Sequence, residues 1–148
     1  MSTKGKILVV DDELLLRDLL FEFFTSSGYA VEAVDGGRKA IDCLAKDVFD
    51  VALVDLRMPE MDGIQLAQAI RAIDADLPMI IMTAYPSFDS VVKALREKAY
   101  DYVIKPFRLP HLALIIERAV KECRLIRQNR LLTERLNVAE AELSRLRQ

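Results

Sequence analysis

Five residues with charged or hydroxyl side chains stand where apolar, strand-like runs of the chain end: Asp11, Asp12, Asp55, Thr83 and Lys105. In an open parallel sheet the carboxyl ends of all strands lie at one edge, so residues that are distant in sequence meet there. Carboxylates, a hydroxyl and an ammonium together can bind a divalent cation and a phosphoryl group. The spacing therefore predicts a phosphoryl-binding pocket at that edge.

The three carboxylates of this pocket predict a Mg²⁺ site. Like charges that crowd together raise one another's pKa unless a cation neutralises them. A set of oxygen ligands without a nearby His or Cys favours Mg²⁺ over Zn²⁺. With the metal in place, a carboxylate can attack a phosphoryl group and form an aspartyl phosphate. We expect Asp55 to be that acceptor, because a central strand places it in the middle of the pocket.

Apolar runs suited to buried strands recur roughly every 20 to 28 residues, and each is followed by a segment of helical period. Repeated β–α units predict an α/β fold with a parallel sheet covered by helices on both faces. The runs lie near residues 6–10, 30–34, 50–54, 78–82 and 101–104.

Turn and cap residues agree with this division. Gly28 can take a left-handed conformation after the first helix. Asp35, Asp62 and Ser87 can each cap the helix that follows, and Pro110 fits the first turn of the last helix.

The last helix is predicted to run without a break from about 109 to 147, since no Gly or Pro follows Pro110. Its first half carries a broad apolar stripe for packing on the sheet. Its second half carries a heptad seam, and an Asn at an a position favours a parallel, two-stranded homodimer. The alternative is a single amphipathic helix that folds onto its own domain or frays. The seam consists of Leu125, Asn129, Leu132, Leu136, Ala139, Leu143 and Leu146.

Composition restricts the class of protein. With 148 residues, 52% of them apolar, the chain suits one domain with an appendage. It has no apolar run long enough for a membrane span and no secretory signal, so we expect a cytoplasmic protein that does not contact membranes. Residues 1–107 carry a net charge of -6 and residues 108–148 one of +4. Basic residues interleaved with acids on a helix usually form a solvated face, so we expect no direct nucleic-acid binding.

Four motifs, in order and at family spacing, resemble the receiver domain of bacterial two-component response regulators. The resemblance covers about residues 5–120. The motifs are VVDDE at 9–13, VDLRMPEMDG at 54–63, MTA at 82–84 and DYVIKPF at 101–107.

This resemblance implies a flavodoxin-like, doubly wound five-stranded parallel sheet with the strand order 2-1-3-4-5. It further implies that Asp55 accepts a phosphoryl group from a sensor histidine kinase. Mg²⁺ would be held by Asp12, Asp55 and the backbone carbonyl of Arg57, with Asp11 acting mostly through water.

The resemblance also implies a switch. Thr83 and Tyr102 would form the switch pair, and Lys105 with Pro106 would complete the site, commonly with a cis peptide before Pro106. Phosphorylation would draw the Thr83 hydroxyl and the Lys105 ammonium inward and vacate space for Tyr102. The readout surface would be the helix 87–97, the fifth strand and the start of the last helix.

The tail, with RQNRLL at 127–132, is similar to the dimerising linker of sigma-54-dependent transcriptional activators, in which an ATPase domain and a DNA-binding domain follow. We divide the chain into a receiver domain at 1–121 and a helical extension at 122–148. The output is expected to be transcriptional, through an ATPase or another output domain or partner. A stand-alone receiver with a dimerising stalk is the alternative.

The sequence departs from the family at a few positions. Lys98 stands where a Gly is common, and a left-handed Lys there would cost on the order of 1 kcal/mol. Arg57 and Tyr85, two residues past Asp55 and Thr83, are both bulky and predict slow self-hydrolysis of the phosphoryl group.

Rival functions remain open. A hydrolase that forms an aspartyl phosphate usually needs a second Asp at the position of Arg57, so a phosphoacceptor protein rather than an enzyme is expected. A flavin-binding domain needs a Ser/Thr-rich phosphate loop where this chain has Asp11 and Asp12. A dimerisation module that is never phosphorylated is the remaining alternative.

Overall fold

The computed structural model describes residues 3–147, in which five parallel strands alternate with five helices. The strands are β1 (Lys6–Val10), β2 (Ala30–Val34), β3 (Val51–Asp55), β4 (Met79–Thr83) and β5 (Asp101–Ile104). The helices are α1 (Leu14–Ser26), α2 (Gly37–Lys46), α3 (Gly63–Ile73), α4 (Phe88–Arg96) and α5 (Leu109–Leu146). The strand order is β2-β1-β3-β4-β5, which confirms the predicted flavodoxin-like doubly wound sheet.

The core consists of one apolar cluster on each face of this sheet. Alternate residues of β1 serve the two sides: Leu8 and Val10 face α2 and α3, whereas Ile7 and Val9 face α1 and α5. Every residue of β3 and β4 is buried, as expected of strands covered on both sides. The sheet thus holds the ends of its central strands in fixed positions, and the polar residues discussed below lie at those ends.

Two of the three predicted helix caps are present. The Asp62 carboxylate accepts a hydrogen bond from the Gln65 backbone N–H (2.8 Å), and the Ser87 hydroxyl accepts one from the backbone N–H three residues on. The Asp35 prediction was wrong. Helix α2 is capped by Gly36 without a side-chain bond, and Asp35, one residue too early, pairs with Lys39 at 3.1 Å.

Lys98 takes the left-handed conformation, with φ at 57°. Helix α4 ends at Arg96, and the Ala99 N–H then bonds back to the Ala94 carbonyl at 3.0 Å, which closes the helix end. Gly28, with φ at 102°, occupies the same region without a side-chain penalty, as predicted. The sequence therefore places a long basic side chain where the backbone favours glycine.

Helix α5 is continuous over 38 residues. Its first half packs against the sheet as predicted, and its last buried residue is Cys123. Among the described residues beyond Cys123, only Arg127 is partly buried. Cys43 and Cys123 are both free thiols. Within residues 3–147, we find no helix with the length and apolarity needed to cross a membrane.

Candidate functional site

The five residues singled out in the sequence meet at one edge of the sheet. Asp11 and Asp12 follow β1, Asp55 ends β3, Thr83 ends β4, and Lys105 follows β5. One carboxylate oxygen from each of the three Asp residues lies within 4.8 Å of the other two. The predicted convergence is therefore present in the fold.

The Lys105 ammonium lies between two of these carboxylates. It donates a hydrogen bond to Asp11 Oδ2 at 2.8 Å and lies 3.5 Å from Asp55 Oδ1. Asp11 is fully buried, and its second oxygen accepts the Glu13 backbone N–H at 2.9 Å. Burial lowers the pKa of Lys105, but its bonds to Asp11 and Asp55 outweigh burial, so the net pKa is raised and the ammonium stays charged. The ammonium can therefore meet an anion bound at Asp55.

The Asp55 carboxyl is poorly compensated. Burial and, next, the negative charge of Asp11 raise its pKa to about 6, against the opposing effect of Lys105. The Arg57 N–H adds only a long contact of 3.4 Å to Asp55 Oδ1. One ammonium does not offset the crowded acids, so an added cation would stabilise the ionised form.

Asp55 also lies against the start of α3. A Cβ atom on Gly63 would stand 2.6 Å from the Asp55 carbonyl oxygen. Only glycine fits this close approach without moving the strand end that carries Asp55.

The two predicted switch residues point to different neighbours. The Thr83 hydroxyl accepts the Tyr85 backbone N–H at 3.1 Å. The Tyr102 hydroxyl lies 2.7 Å from the Ser90 hydroxyl in the first turn of α4. Tyr102 therefore lies against α4, outside the acidic pocket.

Lys105 is held by the backbone on both sides. Its N–H donates to the Thr83 carbonyl at 2.7 Å, and the peptide between Lys105 and Pro106 is cis, as expected.

A cleft of about 770 Å³ opens beside the pocket, between α3 and α4. Arg57 lines this cleft, and its guanidinium lies over the Tyr85 ring, 4.8 Å from the ring centroid. The two bulky side chains, two residues past Asp55 and Thr83, are thus in contact with each other.

The donor set fits Mg²⁺. Three carboxylates offer hard oxygen ligands, which Mg²⁺ prefers, and the cluster includes no sulfur or imidazole donor among the described residues. Few protein ligands at an open edge leave room for water and a phosphoryl group.

Residues 7–117 match the response regulator receiver domain. The chain belongs to this family. Receiver domains accept phosphoryl groups in two-component signalling, so the function predicted from the four motifs is confirmed at the level of the family.

Relatives of this receiver domain are regulatory proteins. The chain is 43% identical over 121 residues to the regulatory protein AtoC of Escherichia coli, covering 82% of this chain and 26% of AtoC. It is 32% identical over 143 residues to the C4-dicarboxylate transport transcriptional regulatory protein DctD of Rhizobium meliloti, covering 97% of this chain and 31% of DctD. The chain thus spans less than a third of either relative, and the DctD match includes most of α5.

One solved structure of the same fold was obtained as a magnesium complex. The response regulator TrrA of Thermotoga maritima, in complex with Mg(2+)-BeF, is 31% identical, with a TM-score of 0.70. The match covers 77% of this chain and 97% of TrrA.

Sequence reasoning missed two contributors to this receiver domain. Ser90, the partner of Tyr102, gives no signal beyond its place in the first turn of α4. Arg127 is one of the basic residues of the last helix for which a solvated face is expected, but it bonds to Asp50 and Asp74. Its signal was its position, since it continues the buried stripe of α5 four residues after Cys123.

The seam residues lie on exposed faces of α5. Leu136, for example, is 63% exposed. The second half of the helix thus presents an apolar seam that its own domain does not cover.

Proposed function

We propose that this receiver domain is a Mg²⁺-dependent switch in which Asp55 accepts a phosphoryl group from a phosphohistidine of a sensor histidine kinase. The observation that carries the proposal is the position of the Lys105 ammonium, within 3.5 Å of both Asp11 and Asp55. Three acids and one ammonium at an open sheet edge suit the transfer of a phosphoryl group. Catalysis of this transfer depends mainly on positioning and charge neutralisation.

Asp11, Asp12, Asp55 and the backbone carbonyl of Arg57 would hold Mg²⁺, with Asp11 mostly through water. The metal would supply positive charge that neutralises phosphoryl oxygens. These ligand roles remain predictions.

The transfer is a displacement at phosphorus. An ionised oxygen of Asp55 attacks the phosphorus, the P–N bond to the kinase histidine breaks, and its electron pair stays on the imidazole nitrogen, which is then protonated. No general base is needed because the attacking carboxylate is already ionised. Lys105 binds one phosphoryl oxygen and the Thr83 hydroxyl donates to another.

The signal then moves to α4 and α5. Phosphorylation adds nearly two negative charges to the pocket. Thr83 turns toward the phosphoryl group, and Tyr102 exchanges its Ser90 contact for the vacated space. This exchange shifts a pre-existing equilibrium, and it can do so only by the difference in interaction between the two states.

The extension after residue 121 serves as a parallel dimerisation stalk. Its apolar seam is exposed on a single chain, and Asn129 at an a position favours two strands in register. The names of the relatives support a transcriptional output, through an ATPase or another output domain or partner. We expect no direct contact of this chain with nucleic acid, and we expect a cytoplasmic location.

Labelling with acetyl phosphate tests the acceptor. Wild type with Mg²⁺ should gain the mass of one phosphoryl group, and Asp55→Asn should gain none. Asp62→Asn is the matched control, because Asp62 ends the loop that follows Asp55 but caps α3, and Asn keeps the cap. Labelling that survives Asp55→Asn, or that fails in wild type, would refute the assignment. Failure in wild type would favour a dimerisation module that is never phosphorylated, whereas continuous phosphate release from generic esters would favour a hydrolase.

Sedimentation tests the stalk. Leu136→Lys, in the seam, should dissociate the dimer, whereas Val138→Lys should not. The two side chains are equally exposed, at 63% and 62%, but Val138 lies off the seam. Equal behaviour of the two variants would argue against the coiled coil.

A further inference from the structure

Three acids lie at the edge of the sheet opposite the phosphorylation pocket. Asp50 precedes β3, and Asp74 and Asp76 lie in the loop between α3 and β4. All three are less than a third exposed, with side-chain exposures of 14%, 26% and 15%. Partly buried carboxylates this close in the fold need compensating positive charge.

Helix α5 supplies that charge from beyond its packed half. The Arg127 guanidinium donates to Asp50 Oδ1 at 3.1 Å, to Asp74 Oδ2 at 2.8 Å and to the Phe49 carbonyl at 2.6 Å. One planar fork therefore joins two loops to the helix, a geometry that a lysine cannot reproduce. Arg130 lies 2.7 Å from Asp76 and extends the contact by almost one turn.

These two arginines lie on the face of α5 that packs on the receiver. At about 100° per residue, Arg127 and Arg130 lie within about 40° of the buried Cys123 around the helix axis. The seam lies on the other side, since Leu125, Asn129, Leu132 and Leu136 lie about 180° to 240° from Cys123. The contacts to the receiver therefore leave the seam free for another chain.

We infer that Arg127, with Arg130, is an electrostatic latch that fixes the rotation of the stalk on the receiver and so sets how the two receivers of a dimer face each other. This inference rests on the proposed dimer. It makes residues 124–130 a rigid part of the receiver and places the free stalk after them.

Hydrogen exchange tests the latch on the full chain. In Arg127→Gln, amides 124–131 should exchange about tenfold faster than in wild type. Local opening of the helix costs less free energy in the variant, because the charge-assisted bonds of Arg127 are already absent. High salt should accelerate the same amides more in wild type than in the variant, which keeps only the pairs of Arg124 with Asp50 and of Arg130 with Asp76. Arg145→Gln is the control, since Arg145 belongs to the same helix and, within residues 3–147, its side chain pairs only with Glu142, at 3.9 Å on the surface.

Arg127→Lys is a milder variant that keeps the test valid if Arg127→Gln does not fold. It keeps the charge but loses the fork, so it should give an intermediate exchange rate. Unchanged exchange in Arg127→Gln together with no salt effect in wild type would overturn the latch.

Spin labels on Cys43 of both chains of the dimer test its consequence. Wild type and Arg145→Gln should give one narrow distance distribution, and Arg127→Gln a broad one, while sedimentation still shows a dimer. A narrow distribution in Arg127→Gln would refute the orienting role. If wild type does not dimerise, the proposed stalk fails, but the exchange experiment still decides whether the latch exists.

Discussion

The Tyr102 hydroxyl lies 2.7 Å from the Ser90 hydroxyl, so the side chain of β5 is tied to the first turn of α4. Because this bond holds the Tyr102 ring away from the space beside Thr83, it should stabilise the unphosphorylated state.

Tyr102→Phe should therefore make activation easier. It removes one hydrogen bond worth about 1 kcal/mol, which corresponds to about fivefold in the switching equilibrium. The beryllofluoride concentration at half-saturation, measured in Mg²⁺, should fall by up to that factor. Tyr100→Phe, at a tyrosine before β5 and away from the pocket, should leave it unchanged. An unchanged midpoint in Tyr102→Phe would show that the bond does not restrain the switch.

Tyr102→Ala tests the coupling of the pocket to the dimer through Tyr102. If this variant left every effect of phosphorylation on the dimer intact, that coupling would be wrong.

The stack of Arg57 on Tyr85 should slow loss of the phosphoryl group. We expect both side chains to hinder the approach of water to the phosphorus, and their stack contributes about 0.5 to 1 kcal/mol. Arg57→Ala and Tyr85→Ala should each shorten the phosphoryl lifetime several-fold, as followed by intact mass after removal of acetyl phosphate. Arg96→Ala, on the far wall of the same cleft, is the control. A wild-type half-life of seconds would contradict this prediction.

Asp55→Asn should stabilise the metal-free fold. The pKa of Asp55 is raised from 3.8 to about 6 in the folded chain, so ionisation disfavours folding. The cost accumulates as the pH rises from about 4 to about 6, is complete at neutral pH, and is at most about 3 kcal/mol. Urea unfolding without metal should show the variant more stable at pH 7 and equal to wild type near pH 3.

Magnesium should reverse this difference, because it stabilises the ionised wild-type pocket by binding the folded state. Asp62→Asn should respond like wild type. If Asp55→Asn were less stable than wild type at pH 7 without metal, charge repulsion in the acidic pocket would not destabilise the fold.

Lys98→Gly should raise the free energy of unfolding by about 1 kcal/mol, because glycine adopts a positive φ without steric cost. Lys93→Gly, in the middle of α4, should lower it by about 1 kcal/mol, since glycine there adds backbone entropy to the unfolded chain and the lost surface pair with Asp89 contributes little. Urea unfolding of both variants measures the pair. Destabilisation by Lys98→Gly would mean that the side chain of Lys98 makes a contact that offsets its backbone conformation.

The sheet and the pocket could be predicted because they depend on local patterns. Continuous apolar runs specify strands buried on both sides, and the parallel topology then brings Asp11, Asp55 and Thr83 to one edge. A slip of one residue in a strand boundary does not move them apart. The acidic pocket therefore followed from residue types and spacing.

The parts of the structure that could not be predicted depend on helix boundaries, on the rotation of helices over the sheet and on the reach of long side chains. Whether Asp35 caps α2 depends on a boundary that shifts by one residue, and Gly36 takes that place. The contact of Tyr102 with Ser90 depends on how α4 is rotated over β5. In the sequence Arg127 resembles any exposed cation. Only the fold shows that its guanidinium reaches the loops before β3 and β4.

The buried position of Cys123 makes its thiol a natural reporter of the separation of α5 from the sheet. Cys123 is 1% exposed, and burial raises the pKa of its thiol to about 11, whereas Cys43 is half-buried. An alkylating reagent can modify Cys123 only while α5 is lifted from the sheet. The rate of its alkylation therefore counts detachment events of the helix in the native protein, without any engineered probe.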